Sequence, residues 1–388
     1  MKVVIAHNRY SSVVPSGENA VVAGEIDALA RAGVTVVPFL RSSDEIGGLG
    51  GPLARARLAA SPSYAAAAQR DLRALLRDQR PDVLHLHNPY PLLSPWVVRT
   101  AHAQGVPVVH TLHNFRQTCV NGLLYRDNHN CTDCVGRAIK TPAVRHACYR
   151  GSRTQSVAMA AALTLHRRTW RSLDAVLALT PAMAGYARTL GIPADRVVVR
   201  PNAVPDPGPH ALPGDGFLFA GRLSAEKGVA LLLDAWRSHP VGSLGTLRVA
   251  GDGPLAALVR EAAAARTDVT YLGRLEPPEV AAAMRSAAVV VVPSTWDEVC
   301  PTVAVQALAH GRPVLGTDRG GLPWLVSGAG WAVPPTVDGL AAGLRAAYDE
   351  APARSAAARQ SYLDRFTPER AMETLLSVYQ TVMRPASA

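Results

Sequence analysis

The sequence predicts an α/β protein built from two doubly wound, Rossmann-like domains, and three observations predict it. Short Val-rich runs alternate with amphipathic helical segments in both halves of the chain, the pattern of parallel sheets covered by helices. At 388 residues the chain is longer than one hydrophobic core usually serves, about 250–300 residues. Between the halves lies Pro201–Pro213, rich in Pro and Gly, which reads as a linker.

Composition narrows the function classes. A hydrophobic content of 48% excludes a disordered chain, and a charged content of 18% is too low for a coiled coil. The net charge of +10 favours an anionic ligand, such as a nucleoside diphosphate, a phosphorylated lipid or nucleic acid. Basic runs interleaved with aromatics are absent, so no nucleic-acid partner is expected. Lys2 leads straight into a strand, so no signal peptide is read. The longest helix-like apolar stretch, Val157–Leu165, is too short to span a bilayer. The expectation is a cytoplasmic protein. Its five cysteines, an odd number, do not suit a disulfide framework.

In the first half, Val3–His7 reads as a strand and Ala20–Arg31 as a helix stopped by Gly33. Gly17 lies in the loop between them, where a ligand reaches a doubly wound sheet, although a plain tight turn explains it equally well. Val34–Leu40 reads as the second strand, and Leu72–Arg77 as part of a helix before Pro81. Asp82–His87 and Val106–His113 follow as strands, placing His85, His87, His110 and His113 near neighbouring carboxyl ends. Packing within the core is the expectation for His85 and His110. Asn88 and Tyr90 follow the third strand at the open end of the sheet.

Cys119, Cys131, Cys134 and Cys148 form a C-x11-C-x2-C-x13-C series around a turn-rich segment. Four thiolates with a CxxC knuckle fit a structural Zn(II); free or loosely paired thiols are the alternative, and no thioredoxin-like unit supports a redox pair. Arg150–Arg171 carries five arginines around an Ala-rich apolar centre. Such a segment either rests on an anionic membrane, which would place the protein at the inner membrane surface, or packs with a solvated basic face. Asp174–Thr180 and Val197–Arg200 close the first domain as strands.

The second half begins at Gly216. Phe217–Arg222 reads as a strand, followed by a loop ending in Lys227-Gly228 and a helix over Val229–Arg237. Arg222 and Lys227 bracket that loop, suiting a diphosphate clamp of one planar fork and one point charge. Leu247–Ala250 ends in Gly251-Asp252-Gly253-Pro254, and Val269–Leu272 in Gly273-Arg274-Leu275. Ala288–Val292 is a buried-strand run, broken by Pro293-Ser294-Thr295 into a loop with Glu298. Thr302–His310 then reads as a helix stopped by Gly311, with Pro301 in its first turn, and the amides of Cys300 and Thr302 lie at its N-terminus. Arg312–Thr317 and Ala329–Pro335 supply the last strands, Leu340–Tyr348 a helix, and Thr367-Pro368 the start of a final one.

The stretch from Glu298 to Gln306 resembles the Glu-x7-Glu signature of the family 4 retaining glycosyltransferases, with Gln306 in place of the second Glu. Gly221-Arg-Leu-Ser-Ala-Glu-Lys-Gly228 resembles a further motif of that family, and the HNPYPLLSP and HNF stretches with the Cys insert resemble its exopolysaccharide-type branch. The resemblance implies the GT-B arrangement, two such domains facing across a cleft. It implies residues 1–205 as the acceptor side, with a Cys-rich insert over 115–150 and completed by the helix 366–388, and 206–365 as the donor domain. It also implies a retaining, metal-independent hexosyl transfer from a nucleoside diphosphate sugar to a hydroxyl of a lipid-linked saccharide or a small natural product.

By this resemblance Glu298 orients the donor sugar and Gln306 meets the ribose, while Arg222 and Lys227 hold the diphosphate. Gly17, Gly251, Asp252, Leu275 and the Cys300-Pro301-Thr302 turn line the donor, His113 donates a hydrogen bond to a sugar hydroxyl or a phosphate oxygen, and Asn88 and Tyr90 face the acceptor. A sugar phosphorylase, a nucleotide-sugar epimerase and a non-catalytic sugar-nucleotide binder share the architecture and stay open.

Overall fold

The computed structural model describes residues 1–13, 16–47, 51–208 and 214–383. The expected linker is therefore described only as far as Gly208, and residues 384–388 of the expected C-terminal helix lie outside the described residues. The chain groups into two compact units. The first takes Met1–Leu124, Cys131–Arg200 and the C-terminal residues from Met372; the second takes Tyr125–Asn130 and Pro201–Ala371.

Strands in the first part of the chain are β1 (Lys2–Arg9), β2 (Thr35–Ser42), β3 (Val83–Leu86), β4 (Val108–Leu112), the short hairpin β5 (Tyr125–Arg126) and β6 (His129–Asn130), β7 (Ala175–Ala178) and β8 (Val197–Val199). Six of these form the first unit's sheet in the order β2-β1-β3-β4-β7-β8, every neighbour parallel. The chain winds outward from β1 in one direction and from β3 in the other, so the β1/β3 carboxyl ends form the crevice where doubly wound sheets take ligands. His7 and Asn8 near the end of β1, and His87 and Asn88 just beyond β3, lie there.

The second unit repeats the design with β9 (Phe217–Ala220), β10 (Leu247–Ala250), β11 (Val269–Gly273), β12 (Val289–Val292), β13 (Val314–Thr317) and β14 (Gly330–Val333). Their order is β11-β10-β9-β12-β13-β14, again all parallel. Here the winding reverses between β9 and β12. The Arg222–Lys227 loop leaves one of these strands and the Glu298 loop leaves the other.

Each sheet is buried because its strands are continuous apolar runs covered by helices. Phe217, Val249, Val289, Val291 and Leu315 pack with Leu232, Trp236, Leu340 and Leu344 in the second unit. Val3, Ile5, Val83 and Val109 pack with Leu29, Leu375, Val378 and Tyr379 in the first. Each such side chain contributes about 1.5–3 kcal/mol on burial.

Three elements differ from the sequence expectation. The helix expected at Leu340–Tyr348 runs over Val337–Arg365, straight through Pro352. Proline removes one backbone donor, but buried Ala351, Ala358 and Tyr362 hold the far half against the unit, and this packing outweighs the lost bond. The basic segment Arg150–Arg171 divides into Arg153–Leu165 and Arg167–Arg171, parted at His166, whose buried ring lies 2.9 Å from the Ser63 carbonyl. The β5–β6 hairpin went unforeseen. No described helix is long and apolar enough to cross a membrane.

Candidate functional site

In the second unit the β9 and β12 loops are locked together by backbone that only glycine allows. Gly228 has φ 71°, and a Cβ there would sit 1.8 Å from the Pro293 carbonyl oxygen. Gly320, φ 57°, would likewise strike the Glu298 carbonyl at 2.2 Å, and the next amide, Gly321 N–H, donates to that carbonyl at 2.6 Å. These approaches fix where Lys227 and Glu298 start, and their side chains meet. Lys227 Nζ donates to Glu298 Oε1 at 2.7 Å, and the Ser294 hydroxyl donates to the same oxygen at 2.6 Å. Lys227 Nζ also lies 5.0 Å over the Trp296 ring.

Arg222 is exposed, and its guanidinium has no partner among the described residues. Pro301 caps the helix Thr302–Ala309, and Ala304 N–H makes the first bond back to its carbonyl. That leaves the amides of Thr302 and Val303 without an intrahelical acceptor, so two donors and the positive helix end lie one short turn after Glu298. The Cys300 side chain is buried, burial pushes its thiol up to about 12, and its carbonyl accepts from Asn202 Nδ2. Gln306 is exposed one turn beyond Thr302 on the same helix.

Gly251 presses on the β9 loop, where its Cβ would lie 1.8 Å from the Gly221 carbonyl oxygen, and its amide donates to the Gly273 carbonyl at 2.7 Å. Asp252 is exposed, its carbonyl accepting from Leu223 N–H and its carboxylate from Gly253 N–H. Leu275 is half-buried beyond β11. The arrangement is two cations, one buried carboxylate and free main-chain donors at the carboxyl ends of adjacent strands. Such a set can hold an anion and hydrogen-bond hydroxyls.

Sequence reading missed three contributors here: the Ser294 hydroxyl, the Trp296 ring and the β5–β6 hairpin. Tyr125 lies with its hydroxyl 2.8 Å from Thr295 Oγ1, and Asn130 Nδ2 donates to Asp297 Oδ1 at 2.9 Å, so the hairpin braces the Glu298 loop. Its turn was legible: Asp127 and Asn128 both take positive φ, and both residue types favour that conformation.

In the first unit, His113 lies with Nε2 2.9 Å from His87 Nδ1. Burial and the neighbouring histidines hold both rings below the ordinary range, His87 at about 4, so both are neutral at neutral pH. His85 and His110 are engaged in the core. His85 meets Tyr379 and Thr111, and His110 donates from Nδ1 to the Leu86 carbonyl and meets Gln117. Asn88, expected to face an acceptor, is buried with its amide engaged at both ends, by the Asn8 carbonyl and by Tyr90 N–H. Gly17 is exposed at the first position of the helix Gly17–Arg31.

Beside these lies a second polar group that the sequence did not signal. Glu18 Oε2 accepts from the Tyr10 hydroxyl and Asn114 Nδ2. Burial pushes its carboxyl up to about 7, against the pull of Arg116. Glu18 Oε1, the Tyr90 hydroxyl and Arg116 Nε are all buried with no partner among the described residues. Buried atoms of this kind mark a place built for a polar ligand or water.

Of the four cysteines expected to hold zinc, Cys119, Cys131 and Cys134 are free thiols. Among the described residues, the only three or more His, Cys, Asp or Glu ligand atoms within 4.8 Å of one another belong to Glu25, His85 and His87. The thiols thus have the chemistry of a zinc set without its close geometry. Cys119 Sγ donates to Asn121 Oδ1, and the loop is pinned by buried Lys140, whose ammonium donates to the Cys134 and Arg137 carbonyls at 2.8 and 2.6 Å.

Comparison with known proteins adds the family. Residues 16–203 match the model of the glycosyl transferase 4-like domain, and residues 214–350 that of the glycosyl transferases group 1. The chain is 28% identical over 268 residues to a phosphatidyl-myo-inositol mannosyltransferase of Mycobacterium leprae, covering 68% of this chain and 61% of that one. It is 36% identical over 117 residues to a lipopolysaccharide 1,2-N-acetylglucosaminetransferase of Salmonella typhimurium, covering 27% and 30%. The matches thus span less than two thirds of these relatives' length. Among solved structures, sucrose-phosphate synthase of Thermosynechococcus elongatus superposes with a TM-score of 0.71 at 20% identity over 98% of both chains. Anabaena HepE in complex with UDP superposes with 0.67 at 16% identity over 98% of this chain and 100% of that one. These likenesses show the fold, two Rossmann-like domains of the GT-B type.

Proposed function

We propose that this chain, which belongs to the glycosyltransferases pairing a glycosyl transferase 4-like domain with a group 1 domain, moves a hexose from a nucleoside diphosphate sugar to a hydroxyl, with retention at the anomeric carbon. One observation carries the reading: Lys227 and Glu298, from loops on either side of the β9/β12 reversal, meet at 2.7 Å beside the unpartnered Arg222 guanidinium and two free helix amides. In this reading Arg222, Lys227 and the amides take up the charge that grows on the leaving diphosphate. Glu298 orients sugar hydroxyls, and Gln306 meets the ribose. HepE carrying UDP supports a nucleotide donor by its likeness in fold.

The test is a panel of nucleoside diphosphate hexoses. A bound donor at about 100 times its dissociation constant adds roughly 2.7 kcal/mol of stability. Donors that stabilise the protein are then assayed for turnover, and NMR of the new glycosidic bond reads the anomeric configuration. Binding without any turnover would favour a non-catalytic relative. Phosphate-dependent release of sugar would mark a phosphorylase, and an altered sugar with no acceptor present would mark an epimerase.

On the acceptor side we place Tyr90, its buried hydroxyl unpartnered beside Glu18 and Arg116, with a lipid-linked saccharide or a small natural product as the molecule received. The arginines of 153–171, with exposed Val157 and Leu165, would let this unit rest on anionic lipid at the inner membrane surface; failure to sediment with anionic vesicles would remove that part. A zinc on Cys119, Cys131, Cys134 and Cys148 would be structural and would require the thiols to draw together. Metal analysis of protein prepared without chelator decides it.

A further inference from the structure

Two histidines of the first unit, His85 and His87, are tied to one buried carboxylate. Glu25, from the helix Gly17–Arg31, reaches beneath the β1/β3 reversal and receives Arg200 Nη1 on Oε2 at 2.6 Å. Its other oxygen lies 3.1 Å from His85 Nδ1 and 3.2 Å from His87 Nε2. Glu25, His85 and His87 are all buried. Their ligand atoms come close enough for a metal ion, and Glu25 Oε1 and His87 Nε2 have no conventional hydrogen bond among the described residues, but the charge of the carboxylate and the His85 ring are already matched. The Arg200 guanidinium already neutralises the carboxylate, and both His85 nitrogens have neighbours in Tyr379 and Thr111.

Geometry then fixes where the protons are. Glu25 Oε1 and His87 Nε2 are both buried without a conventional hydrogen bond among the described residues and face each other at 3.2 Å; a carboxylate oxygen repels a lone pair, so this ring nitrogen carries its proton. His87 is therefore protonated on Nε2. A neutral imidazole has one N–H, so His87 Nδ1 is a lone pair. His113 Nε2, 2.9 Å away, must be the donor to it. That leaves His113 Nδ1 as a lone pair with no partner among the described residues, on a ring that keeps part of its surface exposed.

We infer that Glu25, held by Arg200, is a positioning residue that acts through His87 to set the tautomer of His113, so that His113 presents a hydrogen-bond acceptor at Nδ1. This reverses the sequence expectation, in which His113 donates. An acceptor at Nδ1 takes a hydroxyl of the sugar and turns away an unprotonated phosphate oxygen, which has no proton to give. The proton assignment stands on the structure alone; its use on a sugar rests on the glycosyltransferase reading.

The test is histidine 15N–1H correlation NMR on the full-length protein, with the two rings assigned from His87→Gln and His113→Gln samples. The expected result is that both rings are neutral and protonated on Nε2. A proton on His113 Nδ1 would overturn the relay. In Glu25→Gln, the amide can turn its own N–H to His87. Proton should then appear on His113 Nδ1, and kcat should fall roughly tenfold, the loss of one hydrogen bond to the sugar, with donor KM little changed. Unaltered His113 nitrogen shifts in a folded Glu25→Gln protein would sink the proposal. If that variant does not fold, the wild-type spectrum alone decides. Tautomers as assigned, in a protein without transferase activity, would keep the relay and discard the functional reading.

Discussion

Lys227 and Glu298 are 71 positions apart in sequence and 2.7 Å apart in space, the ammonium partly exposed and the carboxylate buried. Either residue alone would be an ordinary loop charge. Together they form a cation that the proposed reading gives to a diphosphate, and a carboxylate held still by Lys227 and Ser294 where that reading puts a sugar hydroxyl. Removing Lys227 should therefore affect two measurements at once. Lys227→Met should lower kcat/KM by about 10²–10³, the usual loss for one transition-state donor. It should also destabilise the protein by roughly 1–2 kcal/mol by leaving a buried carboxylate without its ion partner. Adding Glu298→Gln should return most of that stability and none of the activity, read by urea unfolding and by steady-state kinetics.

Arg222 is the contrasting case. It is exposed and its guanidinium has no partner among the described residues, so Arg222→Ala should leave stability within about 0.5 kcal/mol of the parent. The same variant should lose about 10²-fold in kcat/KM if the guanidinium meets the leaving diphosphate. Equal kinetics for Arg222→Ala and the parent would remove it from the site.

Glu18 gives a pH prediction. Burial raises its carboxyl from 4.5 to about 7 in the folded chain. Between those values the native state holds a proton that the unfolded chain has lost, so this contribution to stability is full below the unfolded value and is lost as pH rises through about 7. Glu18→Gln, which cannot ionise, should abolish that dependence. Its melting temperature relative to the parent should rise between pH 5 and pH 8, by an amount worth about 2–3 kcal/mol.

Much of the second unit was legible because its chemistry is local. Each of its loops follows a short apolar strand, and the Arg222–Lys227 and Glu298 loops announce themselves within eight residues. The first unit hides its logic in distance. Glu25 sits within an amphipathic helix, where a glutamate reads as solvated, and its Arg200 partner is 175 positions away. Pro352 works in the opposite sense: the local rule would end a helix there, and only the packing of Ala358 and Tyr362 carries it on. The cysteine spacing suggested a zinc knuckle, while nothing in the spacing foretold that Lys140 would turn its ammonium inward to pin the same loop.

Backbone at the site should be as demanding as its side chains. Gly228→Ala must place a Cβ 1.8 Å from the Pro293 carbonyl at a positive φ, so it should cost about 3 kcal/mol or more and loosen the Lys227 loop. Gly242 has a similar φ of +76° with nothing within 4 Å, so Gly242→Ala should cost only about 1 kcal/mol. Urea unfolding of the pair separates backbone strain from collision.

Gln306 tests how far the family pattern holds. It is exposed on the helix whose first turn follows Glu298, with Thr302 one turn before it, so a charge added there meets solvent and no buried neighbour. Gln306→Glu should leave stability within about 0.5 kcal/mol. If this residue meets the nucleotide ribose, a carboxylate accepting from the ribose hydroxyls should bind more strongly than the amide, since a charge-assisted hydrogen bond is roughly twice as strong as a neutral one. The expected outcome is a dissociation constant for the nucleoside diphosphate lowered by about tenfold, with kcat nearly unchanged because the ribose is bound alike in ground and transition states. Calorimetric titration of both proteins with UDP and GDP measures this directly. An unchanged affinity for every nucleotide would place the ribose away from this helix.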